Sequence, residues 1–345
     1  MRITRRCMFA LGLCAAAAAC DTGGNPAPRR AERTLTPARW NRVWTAGGTE
    51  ADTTLLQPWR VAVGNGLVYV ADKGGLRVAA FRVADGSLAW IRGGRGSGPG
   101  EFQLPTALAV DRRGILWVAD ARNSRMTLYR PDGSLHASVP LPDFPYPEAM
   151  CPLPGGGMLV ATSAATEPLF RLSADGEIAG RMDLPWRDLA GAAPLSVQKL
   201  LAPTPEGCVL ALALGRGFAT LAERGARTFS YLEDLPLPRV EKTVDDGGTV
   251  YERVVGMRSA ATSVTAEAGE IAISPGGEGA LENRLVDFYR QRDGAYLRSI
   301  STPVPFQRMA RAGELFFFLT HRDGYPALVA VRPEIGTEAA PPPSP

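Results

Sequence analysis

The residues of this chain best suited to chemistry are carboxylates and arginines set beside glycine-rich turns. Asp72 and Asp120 each end a run of apolar residues, LVYVAD and LWVAD, and an arginine follows five residues later in both, Arg77 and Arg125. A carboxylate at a strand end can accept backbone N–H groups from the turn beyond it, so this structural role is expected of Asp72 and Asp120 ahead of ligand binding. Arg77 and Arg125 are expected to pair with those carboxylates. Glu148, in PYPEAMCP, stands where another strand should begin and is a further candidate for a ligand site.

Other chemistries find no residue set. His136 and His321 lie far apart and near no Cys-x-x-Cys spacing, so no metal site can be drawn from them. A Gly-x-Ser-x-Gly elbow and a Cys-x-x-Cys-His haem motif are both absent, and no cofactor is expected. Cys151 and Cys208 are the two cysteines of the body, and they form either one disulfide or two buried thiols. The glycine-rich stretch GSGPGEFQLP, residues 96–105, has neither Gly-x-Gly-x-x-Gly nor Gly-Lys-Ser/Thr, and no helical pattern follows it. A phosphate-cradling loop needs both, so the stretch reads as a connector between strands.

The elements that must carry these residues are short strands divided by Gly, Pro and Asp-Gly turns, from about residue 39 to 333. Residues 58–91 overlay residues 105–139 landmark by landmark. Pro58 matches Pro105, Asp72 matches Asp120, Arg77 matches Arg125, Phe81 matches Tyr129 and Asp85-Gly86-Ser87 matches Asp132-Gly133-Ser134, always 47 or 48 residues apart. A repeat of this period, with four strands in each unit, predicts the blades of a β-propeller. Further second strands at Gly157, Cys208, Glu270 and Glu314 raise the expected number of blades to six. The interval between the fourth and fifth is long, about 62 residues, because residues 238–256 read as an inserted hairpin. The sixth unit lacks a fourth strand, whereas ARWNRVWTAGG, starting at Ala38, has strand character and no unit of its own. It is therefore expected to complete the last blade and close the ring, leaving no open sheet edge. The prediction is an all-β, six-bladed propeller followed by a Pro-rich tail, residues 334–345.

Residues 96–134 resemble the NHL repeat: a Gly-rich turn, Gly-Glu-Phe, a proline, an apolar strand, Asp-x-x-Gly, Val-Ala-Asp, Asn-x-Arg and a tyrosine strand. The copy at Pro58 lacks the asparagine, and the remaining units keep only the strand spacing. The chain as a whole resembles the lipoprotein-type six-bladed propellers of bacteria. The resemblance implies a ring with a central channel, in a family whose propellers bind proteins, RNA or small ligands or in a few branches catalyse; the expectation favoured here is a non-catalytic binding or scaffold protein that holds a protein or small ligand at the channel mouth or loop rim. It also offers an alternative, since a glutamate at the position of Glu148 is similar to a metal ligand of gluconolactonase-like propellers. Asn and Asp partners for such a metal cannot be picked out here. Asp72, Asp120, Arg125 and Glu148 are thus the candidate ligand or channel-mouth residues.

Residues 1–19 form a basic start followed by an apolar run, which reads as a secretory leader. Ala17-Ala18-Ala19 before Cys20 resemble a lipobox, so Cys20 is the expected lipidated N-terminus of the mature chain. Residues 20–38, polar and rich in Gly, Pro and Arg, read as a tether. This arrangement implies a protein held by lipid to a membrane of the cell envelope, periplasmic or surface-exposed. The leader carries three arginines, and without it 35 basic residues face 35 acidic ones. That balance gives a nucleic-acid partner no support.

Overall fold

The computed structural model describes residues 32–336, apart from 142–145, 164–167, 187–197, 216, 224, 234, 236–238, 245–249, 256–258 and 278. The expected leader, Cys20 and most of the tether lie outside these residues, as does the end of the Pro-rich tail. Within them, β-branched and aromatic runs alternate with glycines at positive φ, and the chain forms antiparallel sheets with one 3-10 turn, Gly279–Leu281.

The first strand is β1 (Ala38–Gly47). Blade one holds β2 (Pro58–Gly64), β3 (Leu67–Asp72), β4 (Arg77–Arg82) and β5 (Leu88–Gly93). Blade two holds β6 (Pro105–Val110), β7 (Leu116–Asp120), β8 (Arg125–Tyr129) and β9 (Leu135–Pro140). Blade three follows with β10 (Pro147–Pro152), β11 (Met158–Thr162), β12 (Leu169–Leu172) and β13 (Ile178–Met182). Blade four has β14 (Lys199–Pro203), β15 (Gly207–Leu212), β16 (Gly217–Ala222) and β17 (Gly225–Ser230). A separate two-stranded sheet, β18 (Arg239–Val244) and β19 (Val250–Val255), stands where the hairpin is predicted. Blade five holds β20 (Ser263–Glu267), β21 (Glu270–Ser274), β22 (Leu285–Arg290) and β23 (Tyr296–Ser301). Blade six has β24 (Arg308–Ala312), β25 (Leu315–Arg322) and β26 (Tyr325–Ile335), and β1 pairs antiparallel with β26 as its outer strand.

The ring is closed as the sequence predicts. Each inner strand lies against those of both neighbouring blades, in the cycle β2, β6, β10, β14, β20, β24 and back to β2. The second strands β3, β7, β11 and β15 are buried at every residue because a neighbouring blade covers each of their faces. The outer strands β9 and β17 are largely exposed. The core is therefore divided into clusters between blades. Between blades one and two, for example, Tyr69, Val78 and Trp90 pack with Leu116, Val118 and Tyr129. Phe102, from GSGPGEFQLP, is fully buried in that cluster and plugs the gap between the two blades. One blade alone could not bury both its faces, so stacking supplies the core.

The Asp-Gly turns key neighbouring blades together. Gly86 has φ 72°, and a Cβ there would fall 2.6 Å from the Trp44 ring; Gly133 has φ 80°, and a Cβ would fall 2.9 Å from the Trp90 ring. Each tryptophan donates its indole N–H to a nearby carbonyl, Trp44 to Val83 O at 2.8 Å and Trp90 to Pro131 O at 2.9 Å. Cys151 and Cys208 are joined by a disulfide, which resolves the pairing left open by sequence and links blades three and four. The last residues of the expected tether are not free. Thr36 N donates to Ser299 O at 2.8 Å, and Arg33 clamps Asp287 with Nη2 to Oδ2 at 2.9 Å, so the chain is fastened to blade five before β1 begins.

Candidate functional site

The four candidate residues of the sequence separate into two places. Asp72 and Asp120 are fully buried and belong to the blade connectors. Asp72 accepts the N–H groups of Leu56, Gln57 and Gly74 and the Nε of Arg77 at 3.3 Å. Asp120 accepts those of Gln103 and Leu104 at 3.0 and 2.8 Å. Every carboxylate lone pair so used holds a connector, and neither residue lines the channel.

Arg125 departs from expectation. It does not pair with Asp120 but donates to the carbonyls of Ser97, Gly98 and Glu101 in the glycine-rich connector. The cause is Asn123, which stands where blade one has Gly75. Its side-chain amide reaches Asp120 Oδ2 at 2.6 Å and fills the place that Arg77 takes beside Asp72. Arg125 is then left to satisfy the turn. Its side chain lies in the connector and does not line the channel.

Glu148 is the candidate that does reach the channel. In blades one to three the inner strand carries a bulge, with one extra residue between the first two pairs: Trp59, Thr106 and Glu148. A bulge re-aims the side chain of its extra residue. Glu148 is thereby buried, and its Oε1 accepts the backbone N–H of Lys199 at 2.8 Å. The Lys199 Nζ lies 4.0 Å from the same oxygen and donates to Thr162 O at 2.8 Å. Burial pushes the Glu148 carboxyl up to about 7, against smaller opposing pulls from the Lys199 N–H and from the charges of Lys199 and Arg60.

The channel itself narrows at this level. A cavity of about 80 Å³ is lined by Arg60, Glu148, Ser263 and Arg308 among others, and below it the inner strands contribute a girdle of Val61, Leu108, Met150, Leu201, Val264 and Met309. A wider cavity of about 420 Å³ opens beyond the girdle, where Glu267 and Arg311 stand. The lactonase-type metal does not fit the narrow end. No group of three or more His, Cys, Asp or Glu side chains able to hold a metal ion occurs among the described residues, and the charges facing Glu148 are cationic. His136 and His321 are exposed, away from the channel.

Comparison with known proteins agrees with this architecture. No family model matches the chain. A mouse protein, NHL repeat-containing protein 3, is 35% identical over 69 residues, and its human counterpart is 33% identical over 69 residues. Those residues make up 19% of this chain and 20% of either relative, so the likeness spans about a fifth of each. The fold is an NHL-like six-bladed β-propeller. Among solved structures, a putative exported protein from Bacteroides fragilis superposes with a TM-score of 0.56 at 9% identity, covering 88% of this chain and 98% of that one. Virginiamycin B lyase from Staphylococcus aureus gives 0.53 at 11% identity, covering 85% and 99%. At such identities the likeness is one of fold alone, because one ring scaffold hosts unrelated functions.

Sequence reasoning overlooked Arg60, Lys73, Lys199 and Arg308. A signal for two of them was present. The chain has three lysines among 38 basic residues, and Lys73 and Lys199 both stand at the narrow end of the channel. Arg60 and Arg308 gave none, as arginine is the common basic residue here.

Proposed function

We propose that this NHL-like propeller is a non-catalytic binding protein of the cell envelope that holds a small ligand at the narrow mouth of its channel. The observation that carries this reading is the state of Glu148. Its carboxylate is committed to the Lys199 N–H and surrounded by cationic groups, an arrangement suited to recognition and not to a divalent metal. The leader and lipobox at Cys20 support an anchor on the membrane, and a disulfide between Cys151 and Cys208 fits an oxidising compartment.

Native mass spectrometry of the protein released from envelope membranes tests the reading. A bound species that disappears in Ala149→Trp, which fills the mouth, is the expected result. A protein that carries nothing, or that hydrolyses lactones through Glu148 with a stoichiometric divalent ion, overturns it.

A further inference from the structure

The narrow end of the channel holds positive charge that the fold itself leaves unbalanced. Arg60 on β2 and Arg308 on β24 line the same cavity, from adjacent inner strands. Neither makes an ion pair among the described residues. The Arg60 guanidinium finds only the carbonyls of Trp59 and Glu148, at 3.3 and 3.4 Å. Arg308 donates Nη1 to Gln307 O at 2.7 Å, and its Nε is buried with no hydrogen-bond partner. Lys73 adds a third cation. Its Nζ lies 3.2 Å from the centroid of the Trp59 ring, and the Arg60 guanidinium lies 3.9 Å from the same ring.

Such an arrangement is costly, since both guanidinium groups are half-buried, the Arg308 Nε fully so, and a charge withdrawn from water without a counter-charge loses part of its hydration. Burial and the neighbouring Arg308 depress Arg60 to about 9, and burial, Arg60 and Arg308 all lower Lys73. A group that strains against its own charge is stabilised by an anion placed beside it. Glu148 fills that role only in part: its charge favours the Arg60 cation, but its carboxylate accepts the Lys199 N–H and titrates at about 7, so that it is half protonated at pH 7.

We propose that Arg60 and Arg308 form a binding site for a compact oxyanion, the carboxylate or phosphate group of a small molecule, with Lys73 on Trp59 flanking its entry. The site deepens the channel-mouth reading and rests on it. The cavity of about 80 Å³ admits one such group and little more. Planar guanidinium forks match both oxyanions with paired N–H donors. The apolar girdle immediately below stops the charged group at this level and offers apolar contact to whatever is attached to it.

Titration of the full chain with inorganic phosphate and with acetate, at constant ionic strength set by chloride, tests the site and separates tetrahedral from planar oxyanions. The expected result is saturable binding of at least one probe, weakened tenfold or more in Arg308→Met and lost in the Arg60→Met and Arg308→Met double variant. Arg308→Met is also expected to melt higher than the wild type without anion, a shift that a merely structural arginine would not give. Binding of neither probe, or equal binding by the double variant, overturns the proposal. A wild type that binds neither probe yet carries a native species displaced by Ala149→Trp removes the oxyanion assignment alone. Absence of both removes the channel-mouth reading as well.

Discussion

Arg308 and Arg311 stand three residues apart on β24, at opposite ends of the channel, and they meet opposite fates. Arg311 lies 3.6 Å from Glu270, which also holds Arg298 through two hydrogen bonds of 2.8 and 3.0 Å. Arg308, at the narrow end, has no carboxylate. Burial lowers the pKa of both arginines and each keeps one buried nitrogen without a hydrogen bond, so what separates them is the carboxylate that faces Arg311 and that Arg308 lacks. Charges that repeat from blade to blade, such as Asp72 and Asp120, are likewise spent on connectors. Those that depart from the repeat, Arg60, Glu148, Lys199 and Arg308, gather at one mouth. In this ring the repeated carboxylates hold connectors, whereas charges outside the repeat either pair with one another, as Glu270 does with Arg298, or line the narrow mouth.

The largest expected effect comes from breaking a building charge. Asp120→Ala strips two connector N–H groups and Asn123 of their acceptor, and buried donors left unsatisfied cost about 1–3 kcal/mol each. We expect a loss of about 3 kcal/mol or more in urea unfolding. Glu270→Ala makes Arg311 resemble Arg308 by removing its counter-charge, and a smaller loss of about 1–2 kcal/mol is expected because Glu270 is partly exposed.

The narrow mouth should respond to pH near neutrality. Glu148 faces Lys199, Arg60 and Tyr146, and its folded value of about 7 lies above the ordinary carboxyl value. The folded protein therefore binds the extra proton, and its contribution to stability is complete below the unfolded value and lost as pH rises through about 7. Between those limits we expect stability to fall by up to about 1.4 kcal/mol per pH unit. Glu148→Gln, which keeps an acceptor for the Lys199 N–H, should flatten that slope. The smallest effect belongs to the inserted hairpin. β18 and β19 pair only with each other among the described strands, so their excision breaks no blade ladder and should leave the melting temperature within a degree or two.

The architecture was legible because it is periodic. Aligned Asp-Gly turns, the paired prolines Pro58 and Pro105 and the Val-Ala-Asp endings are local signals that recur, and the unpaired strand before blade one left a single place for itself in the ring. Roles within a connector were legible in part. Asp72 and Asp120 cap turns as their position predicts, whereas one substitution, Asn123 for glycine, redirected Arg125. The channel site was not legible. Arg60 and Arg308 are nearly 250 residues apart and meet only because the ring closes, and the bulge that turns Glu148 inward depends on pairing with β11. Nothing in a short window of sequence announces either. The scarcity of lysine was the one compositional hint.

On the proposal above, the Arg60 and Arg308 guanidinium groups at the narrow mouth bind an oxyanion. A crystal structure of the protein soaked in selenate tests it most directly, because selenium scatters anomalously and marks the anion without ambiguity. An anomalous peak is expected within hydrogen-bond reach of both the Arg60 and Arg308 guanidinium groups, absent in the double methionine variant. Selenate bound only elsewhere on the surface, with that cavity holding nothing but water, would contradict it.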